Sequence, residues 1–348
     1  MARVIGKGYS YDDVLIVPKY NTVASRKDVN FKTKVTRNYE IDIPILAANM
    51  DTVCDSKMAI TLGKLGGLGV IHRFMSVEEQ ANQVRLVKKE KLIVAAALGI
   101  KDYEERSEAL VKAGVNIIVL DIAHAHSKMC GKVLKYLKET HPNVDVMVGN
   151  VATKEAARDF VNRGADAIKV GIGPGAMCIT RIMTGAGVPQ LTAIMDVYES
   201  TQGRIPICAD GGIKMQGDVV KAIGAGADTV MMGSVLSGTD EAPGEMILKN
   251  GDSFKLYRGM ASFDAAVKKS KLDGNKGKIE IISVEGEQTL VKYKGPVEPI
   301  IKKYLGGLAS GMTYVGAAKI EDIKGKVDFI EISYAGMKES IAHGHKSI

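Results

Sequence analysis

The sequence predicts an α/β protein, a closed eight-stranded (β/α)8 barrel, and three observations carry that expectation. Eight short apolar runs recur along the first two thirds of the chain, each followed by a helical pattern. The runs are continuously apolar rather than alternating, as strands buried on both faces of a parallel sheet must be. A punctuation repeats: Ala113-Gly114-Val115-Asn116, Arg163-Gly164-Ala165-Asp166 and Ala225-Gly226-Ala227-Asp228 each close a helix with glycine and lead into an apolar run, the glycine serving as helix C-cap. Eight such units make a closed parallel barrel. A doubly wound open sheet is the alternative, but no G-x-G-x-x-G fingerprint follows an early strand.

In chain order the expected strands are 43–47, 69–71 (after Gly66-Gly67), 93–98, 117–121, 144–149, 167–171, 205–209 and 229–233. Ser76 and Glu79 form a capping-box pattern before the helix over 81–87, and Thr153 is placed to cap a helix over 155–161. After the eighth strand the pattern breaks. Tyr257-Arg258-Gly259-Met260 opens a segment whose charged, glycine-bearing stretch, 268–278, reads as a flap over the site, about 259–295 in all. Residues 279–284 and 290–293 read as a hairpin, and 297–305 and 315–323 as helical. The end, about 335–348 with His343 and His345, reads as a tail. The whole of 1–348 is expected to be a single catalytic barrel domain.

Composition narrows the function classes. With 46% hydrophobic residues, 348 residues can bury one large core. Cys54, Cys130, Cys178 and Cys208 are widely separated, which reads as a reduced, cytoplasmic protein rather than a disulfide framework or a zinc site. The first residues carry no apolar signal-peptide core, and the apolar run 92–100 is too short to cross a membrane. A net charge of +7 favours anionic small ligands. Scattered lysines and few aromatics argue against a nucleic-acid platform.

In a parallel barrel the chemistry sits at the carboxyl ends of the strands. Asp51 follows the first strand, and His72 and Arg73 the second. Asp121, His124 and His126 follow the fourth, Asn150 the fifth and Cys178 the sixth. Asp210-Gly211-Gly212 follow the seventh, and Gly233-Ser234 the eighth. Loops after strands seven and eight commonly hold phosphate, and these glycines can offer backbone N–H groups to it. Around Cys178, Gly171, Gly173, Pro174 and Gly175 stop the strand and force a tight loop. A lone cysteine is more often a small buried thiol. One on a glycine-shaped loop at a strand end is placed to be a nucleophile. His124 and His126, two apart with no third ligand, are weak evidence for a metal.

The run Val170-Gly-Ile-Gly-Pro-Gly-Ala-Met-Cys178-Ile-Thr180-Arg181, followed by Gly185-Ala-Gly-Val-Pro-Gln190, resembles the active-site loop of the IMP dehydrogenase and GMP reductase family. The family's usual serine is replaced by Ala176. The resemblance, which extends over nearly the whole chain, implies a covalent nucleophile at Cys178 with Thr180 handling the proton. It implies a potassium site on the backbone of Gly171, Gly173 and Cys178, and a nucleotide monophosphate substrate. Asp210 would take the ribose hydroxyls, and Gly211, Gly212, Gly233, Ser234 and Tyr257 the phosphate. Met50, Gly259 and Met260 would line the base. Arg73, Asp121, Ala123, Asn150 and Arg181 would face the nicotinamide cofactor. Asp121-Ile-Ala-His-Ala125-His126 resembles a family motif in which glycine usually stands at Ala125, so a left-handed backbone there would be strained.

Within the family the resemblance is stronger to GMP reductase. Ala48-Asn49-Met50-Asp51-Thr52-Val53 has the reductase form, and Val87-Lys88-Lys89-Glu90-Lys91 runs into Leu92 with no inserted CBS modules. Dehydrogenases activate a hydrolytic water with an Arg-Tyr pair on the flap, yet from Gly259 to Ile348 there is no arginine. Lys268, Lys271 or Lys278 could stand in, but a lysine at its ordinary pKa is a poor base. Ser283-Val284-Glu285-Gly286 resembles the reductase motif in which the glutamate, Glu285 here, relays a proton to departing ammonia. The resemblance thus implies NADPH-dependent conversion of GMP to IMP in a homotetramer. The alternatives are IMP dehydrogenase, with NAD, and a catalytically silent nucleotide-binding relative.

Overall fold

The computed structural model describes residues 1–263, 265, 267 and 284–341. Eight parallel strands close into a barrel: β1 (Ile45–Ala47), β2 (Leu68–Ile71), β3 (Ala95–Leu98), β4 (Ile117–Asp121), β5 (Asp145–Val151), β6 (Ala167–Val170), β7 (Ile207–Asp210) and β8 (Thr229–Met232). They pair in chain order, and β8 returns to β1 through Val230 opposite Ile45. All eight expected strands are therefore present, shifted by two residues or fewer at most ends. Nearly every strand residue is buried, which is why the runs read as continuously apolar.

The connecting helices start where a side chain can take an orphan N–H. Asp55 accepts the Lys57 amide at the head of Ser56–Lys64. Ser76 accepts the Glu79 amide before Val77–Lys89, and Thr153 the Ala156 amide before Lys154–Asn162. The repeated helix-closing glycines have left-handed backbones, φ 90° at Gly114, 85° at Gly164 and 121° at Gly226.

The polar residue that ends each repeat has a definite task. Asn116 accepts the Val94 amide at 3.1 Å, Asp166 the Val146 amide at 2.8 Å and Asp228 the Ile207 amide at 2.8 Å, each time at the start of the preceding strand. A lysine ammonium meets each one: Lys88 at 3.0 Å, Lys138 at 2.6 Å and Lys324 at 2.6 Å. The lower rim of the barrel is stitched by one repeated device.

Around the barrel, Val14–Ile16 pairs antiparallel with Phe329–Glu331, joining the two ends of the chain. Helix Val297–Tyr314 crosses Gln216–Gly224 so closely that a Cβ on Gly307 would lie 2.2 Å from the Gln216 Cβ. One expectation is corrected. Residues 315–323 are not one helix: Gly316, with φ 68°, ends the long helix, and only Ile320–Ile323 is helical. The strand Gln288–Lys292 pairs with the preceding strand, Asp252–Arg258, which in turn pairs with Ile247–Lys249. Tyr257 and Arg258 thus end a strand. The stretch 279–283, most of the expected flap and His343 and His345 lie outside the described residues. The expected tail begins with a short helix, Tyr334–Glu339. Among the described residues no helix is long and apolar enough to cross a membrane.

Candidate active site

The carboxyl ends of the strands surround a cleft lined by Met50, Arg73, Asp121, Ala123, Asn150, Gly171, Gly173, Cys178, Thr180, Asp210, Gly211, Tyr257, Gly259, Met260 and Glu285. Fifteen of the residues expected from the sequence therefore share one wall-to-wall site. Gly212, Gly233 and Ser234 lie on its rim. A Cβ on Gly233 would come within 3.0 Å of both the Met50 sulfur and the Tyr257 hydroxyl. Arg181 takes another role: its Nε donates to the Ile172 carbonyl at 3.2 Å and its Nη2 to the Val188 carbonyl at 2.6 Å. It braces the cysteine loop from behind and is absent from the cleft lining.

The loop after β6 can turn only because its glycines adopt positive φ, 148° at Gly171 and 85° at Gly173; a Cβ on Gly171 would lie 2.2 Å from the Asp210 carbonyl. The turn presents Cys178, half-buried, with its amide on the Gly175 carbonyl at 3.0 Å. The thiol donates to the Thr180 hydroxyl at 3.1 Å, and that hydroxyl donates to Glu285 Oε2 at 2.7 Å. Glu285 is held there by backbone. The Ile179 amide donates to the Glu285 carbonyl at 2.9 Å, the Glu287 amide to the Met177 carbonyl at 3.0 Å, and Gly259 to the Glu287 carbonyl at 2.8 Å. Thiol, hydroxyl and carboxylate thus form one continuous proton path.

On the opposite wall, Asp210 Oδ2 accepts from Lys169 Nζ at 2.6 Å and from the Asn150 amide at 2.9 Å. Lys169 also reaches Asp121 at 3.0 Å and the Asn150 side-chain oxygen. Burial alone would pull this ammonium's pKa down, but the Asp121 and Asp210 carboxylates outweigh it and hold it above the ordinary lysine value. Asp121 in turn sits below the usual carboxylate range: burial opposes its charge, and Lys169 and Arg73 overcome that cost. Burial raises the Tyr257 hydroxyl, with the Asp210 charge adding to it.

Of the carbonyls expected to face potassium, that of Gly171 accepts the Asn150 amide at 2.7 Å, which engages one of its two lone pairs. Among the described residues no group of three or more His, Cys, Asp or Glu side chains could hold a metal. His126 rests on Asp159 and Phe160, and His72, buried, accepts the Phe74 amide at 3.1 Å. Ala125 carries no positive φ, so alanine is unstrained there. Asp51 does not enter the cleft; it pairs with Arg258 in a neighbouring hollow.

Two residues escaped sequence reasoning. Lys169 was legible as a charge inside the apolar strand Ala-Ile-Lys-Val, a pattern that demands a partner. Asn49 hydrogen-bonds Asp121; the sequence marked it as part of the reductase-like run after β1, but gave no sign of this partner.

A family description, IMP dehydrogenase / GMP reductase domain, matches residues 8–343. The chain belongs to this family. Its relatives carry both names. The inosine-5'-monophosphate dehydrogenase of Borreliella burgdorferi is 40% identical, covering 99% of this chain and 99% of that protein. The GMP reductase of Leishmania major is 34% identical, covering 97% of each. Among solved structures, a cysteine-to-alanine variant of Trypanosoma brucei GMP reductase in complex with guanosine 5'-monophosphate superposes with a TM-score of 0.92. It is 33% identical and covers 98% of this chain and 99% of that one. The family is one of oxidoreductases that use nicotinamide cofactors, and the barrel is the family's own fold. Chain length does not divide the two activities. The alignment with the Leishmania reductase spans 477 positions and that with the Cryptosporidium parvum dehydrogenase 385, so the dehydrogenase is nearer this chain in length.

Proposed function

We propose that this protein is a GMP reductase, converting GMP to IMP and ammonia with NADPH. The observation that carries the reading is the path Cys178–Thr180–Glu285. The thiol sulfur adds to C2 of the purine, and its proton passes through Thr180 and Glu285 to the 2-amino group. The C2–N bond then breaks and ammonia departs, because an amine leaves readily only once protonated. A thioimidate remains on Cys178. With hydride from the dinucleotide delivered to C2, the C2–S bond would break, and Glu285, reprotonated from solvent, would return a proton through Thr180 to restore the thiol. Asp210 is the residue suited to the ribose hydroxyls. The rim of Gly211, Gly212, Gly233, Ser234 and Tyr257 suits the phosphate, and Asp121, Ala123, Asn150 and Arg73 suit the nicotinamide side. The exposed Ala176 offers the phosphate no hydroxyl.

The absence of arginine after Arg258 supports the same reading, since a dehydrogenase must hydrolyse the thioimidate and a reductase need not. A second reading, IMP dehydrogenase, rests on identity: the Borreliella burgdorferi and Cryptosporidium parvum dehydrogenases are 40% identical, against 34% for the Leishmania reductases. Absorbance of the reduced dinucleotide separates them. Loss of signal with GMP and NADPH, matched by released ammonia, is the expected result. A sustained rise with IMP and NAD, with no loss under GMP and NADPH, would overturn the reductase reading. A single burst with IMP and NAD fits hydride transfer without hydrolysis and supports the reductase.

A further inference from the structure

We propose that Lys169 is a positioning residue that sets the enzyme's selectivity for ribose over 2'-deoxyribose nucleotides. The inference rests on the reading that Asp210 receives the ribose hydroxyls.

Lys169 is 2% exposed, and its ammonium has three hydrogens to place. They go to Asp210 Oδ2 at 2.6 Å, to Asp121 Oδ1 at 3.0 Å and to the Asn150 side-chain oxygen. Asn150 returns its own amide to the same Asp210 oxygen at 2.9 Å. Both donors therefore fall on Oδ2, and among the described residues none falls on Oδ1. The side chain of Asp210 keeps 22% exposure. One carboxylate oxygen is spent on the barrel interior, and the other is presented to the cleft in a fixed direction. That is the arrangement a pair of vicinal hydroxyls needs, because a rotating carboxylate loses orientation with each partner it gives up.

The backbone makes room for this clamp. A Cβ on Gly149 would lie 2.5 Å from the Lys169 Cβ, so the glycine clears the aliphatic stem. Lys169 also lies between two carboxylates that face different ligands. Without its charge, Asp121 and Asp210 would repel one another across a buried gap, and Asp210 would turn toward Asn150 alone. Lys169 lines the floor of the cleft, but its hydrogens are committed to these three side chains, so its effect on a nucleotide passes through Asp210.

The test compares kcat/KM for GMP and 2'-deoxy-GMP in the wild type and in Lys169→Met, Lys169→Gln and Lys169→Arg. Loss of one hydrogen bond to a charged group corresponds to a wild-type preference for GMP of about 10- to 100-fold. Lys169→Met and Lys169→Gln are expected to bring that ratio to within about threefold of unity, mainly by raising KM for GMP. Lys169→Arg keeps the cation and is expected to keep the preference. A merely structural lysine would lower kcat for both nucleotides and leave the ratio unchanged, and that outcome in any folded neutral variant overturns the proposal. Should the neutral variants fail to fold by circular dichroism, Lys169→Arg decides alone: collapse of its ratio overturns the proposal and retention supports it. If the wild type does not reduce GMP, the reductase reading has failed instead. The same ratios are then read with IMP and 2'-deoxy-IMP under NAD, since either reaction presents the same ribose.

Discussion

Glu285 Oε2 accepts the Thr180 hydroxyl at 2.7 Å although 105 residues separate the two in the chain. Main-chain hydrogen bonds from 177–179 to 285–287 hold that distance, so the carboxylate is aimed by backbone rather than by its own side-chain freedom. Replacing Glu285 with Gln keeps the size and removes the proton acceptor. The expected result is a fall in kcat of about 10²- to 10⁴-fold, the usual worth of a positioned acid/base, with KM for the nucleotide nearly unchanged. Thr180→Ala should fall by a similar factor, and the double variant should be little worse than either alone, because the two act as one path. Steady-state kinetics with ammonia release measured in parallel checks this; additive losses would mean that the two residues act separately.

Cys178→Ala removes the only nucleophile in the path. Turnover is expected to drop below detection, while nucleotide binding by calorimetry persists, because Asp210 and the glycine rim are untouched. Residual turnover at wild-type order would argue for chemistry without a covalent step.

Much of this site was legible before any coordinates. A tight glycine loop at a strand end can be read from residue types, and so can the alignment of strand-end residues on one rim, since topology alone puts them there. What could not be read is direction. Arg181 and Asp51 stand in the right segments, yet one turns to carbonyls behind the loop and the other to Arg258. Strand ends tell which rim a residue occupies, and side-chain partners tell where it points. Lys169 was missed for the same reason, its meaning lying in two carboxylates 41 and 48 positions away. The repeat was seen as helix punctuation. The structure adds that its Asn or Asp caps the preceding strand, a long-range bond that no local pattern encodes.

The Asp51–Arg258 pair ties the end of the first strand to the segment entering the flap, and it is nearly buried, with 1% of the Asp51 side chain and 13% of the Arg258 side chain exposed. Arg258→Met should leave a buried carboxylate short of its main counter-charge and destabilise the fold by about 3–5 kcal/mol. Thermal denaturation is the measurement. The Asp51→Asn, Arg258→Met double variant should recover much of the loss, because no lone charge then stays buried. A double variant no more stable than Arg258→Met would show that the pair's worth is geometric rather than electrostatic.

Asp166 offers the sharpest test of the lower-rim device. Its carboxylate takes the Val146 amide at 2.8 Å and the Lys138 ammonium at 2.6 Å, and its side chain is 6% exposed. Asp166→Ala orphans a buried amide and strips a half-buried lysine of its partner, each at a cost of about 1–3 kcal/mol. Asp166→Asn keeps an acceptor for the amide and loses the charge, matching what the repeat itself does with Asn116 beside Lys88. The asparagine variant should therefore retain most of the stability that the alanine variant loses, while activity of the folded fraction stays at wild-type level in both, since the rim lies at the opposite end of the barrel from Cys178. Urea denaturation with activity read on the native fraction resolves the two effects. Equal stability of the two variants would mean that the counter-charge to Lys138, and not the strand-capping hydrogen bond, is what Asp166 supplies.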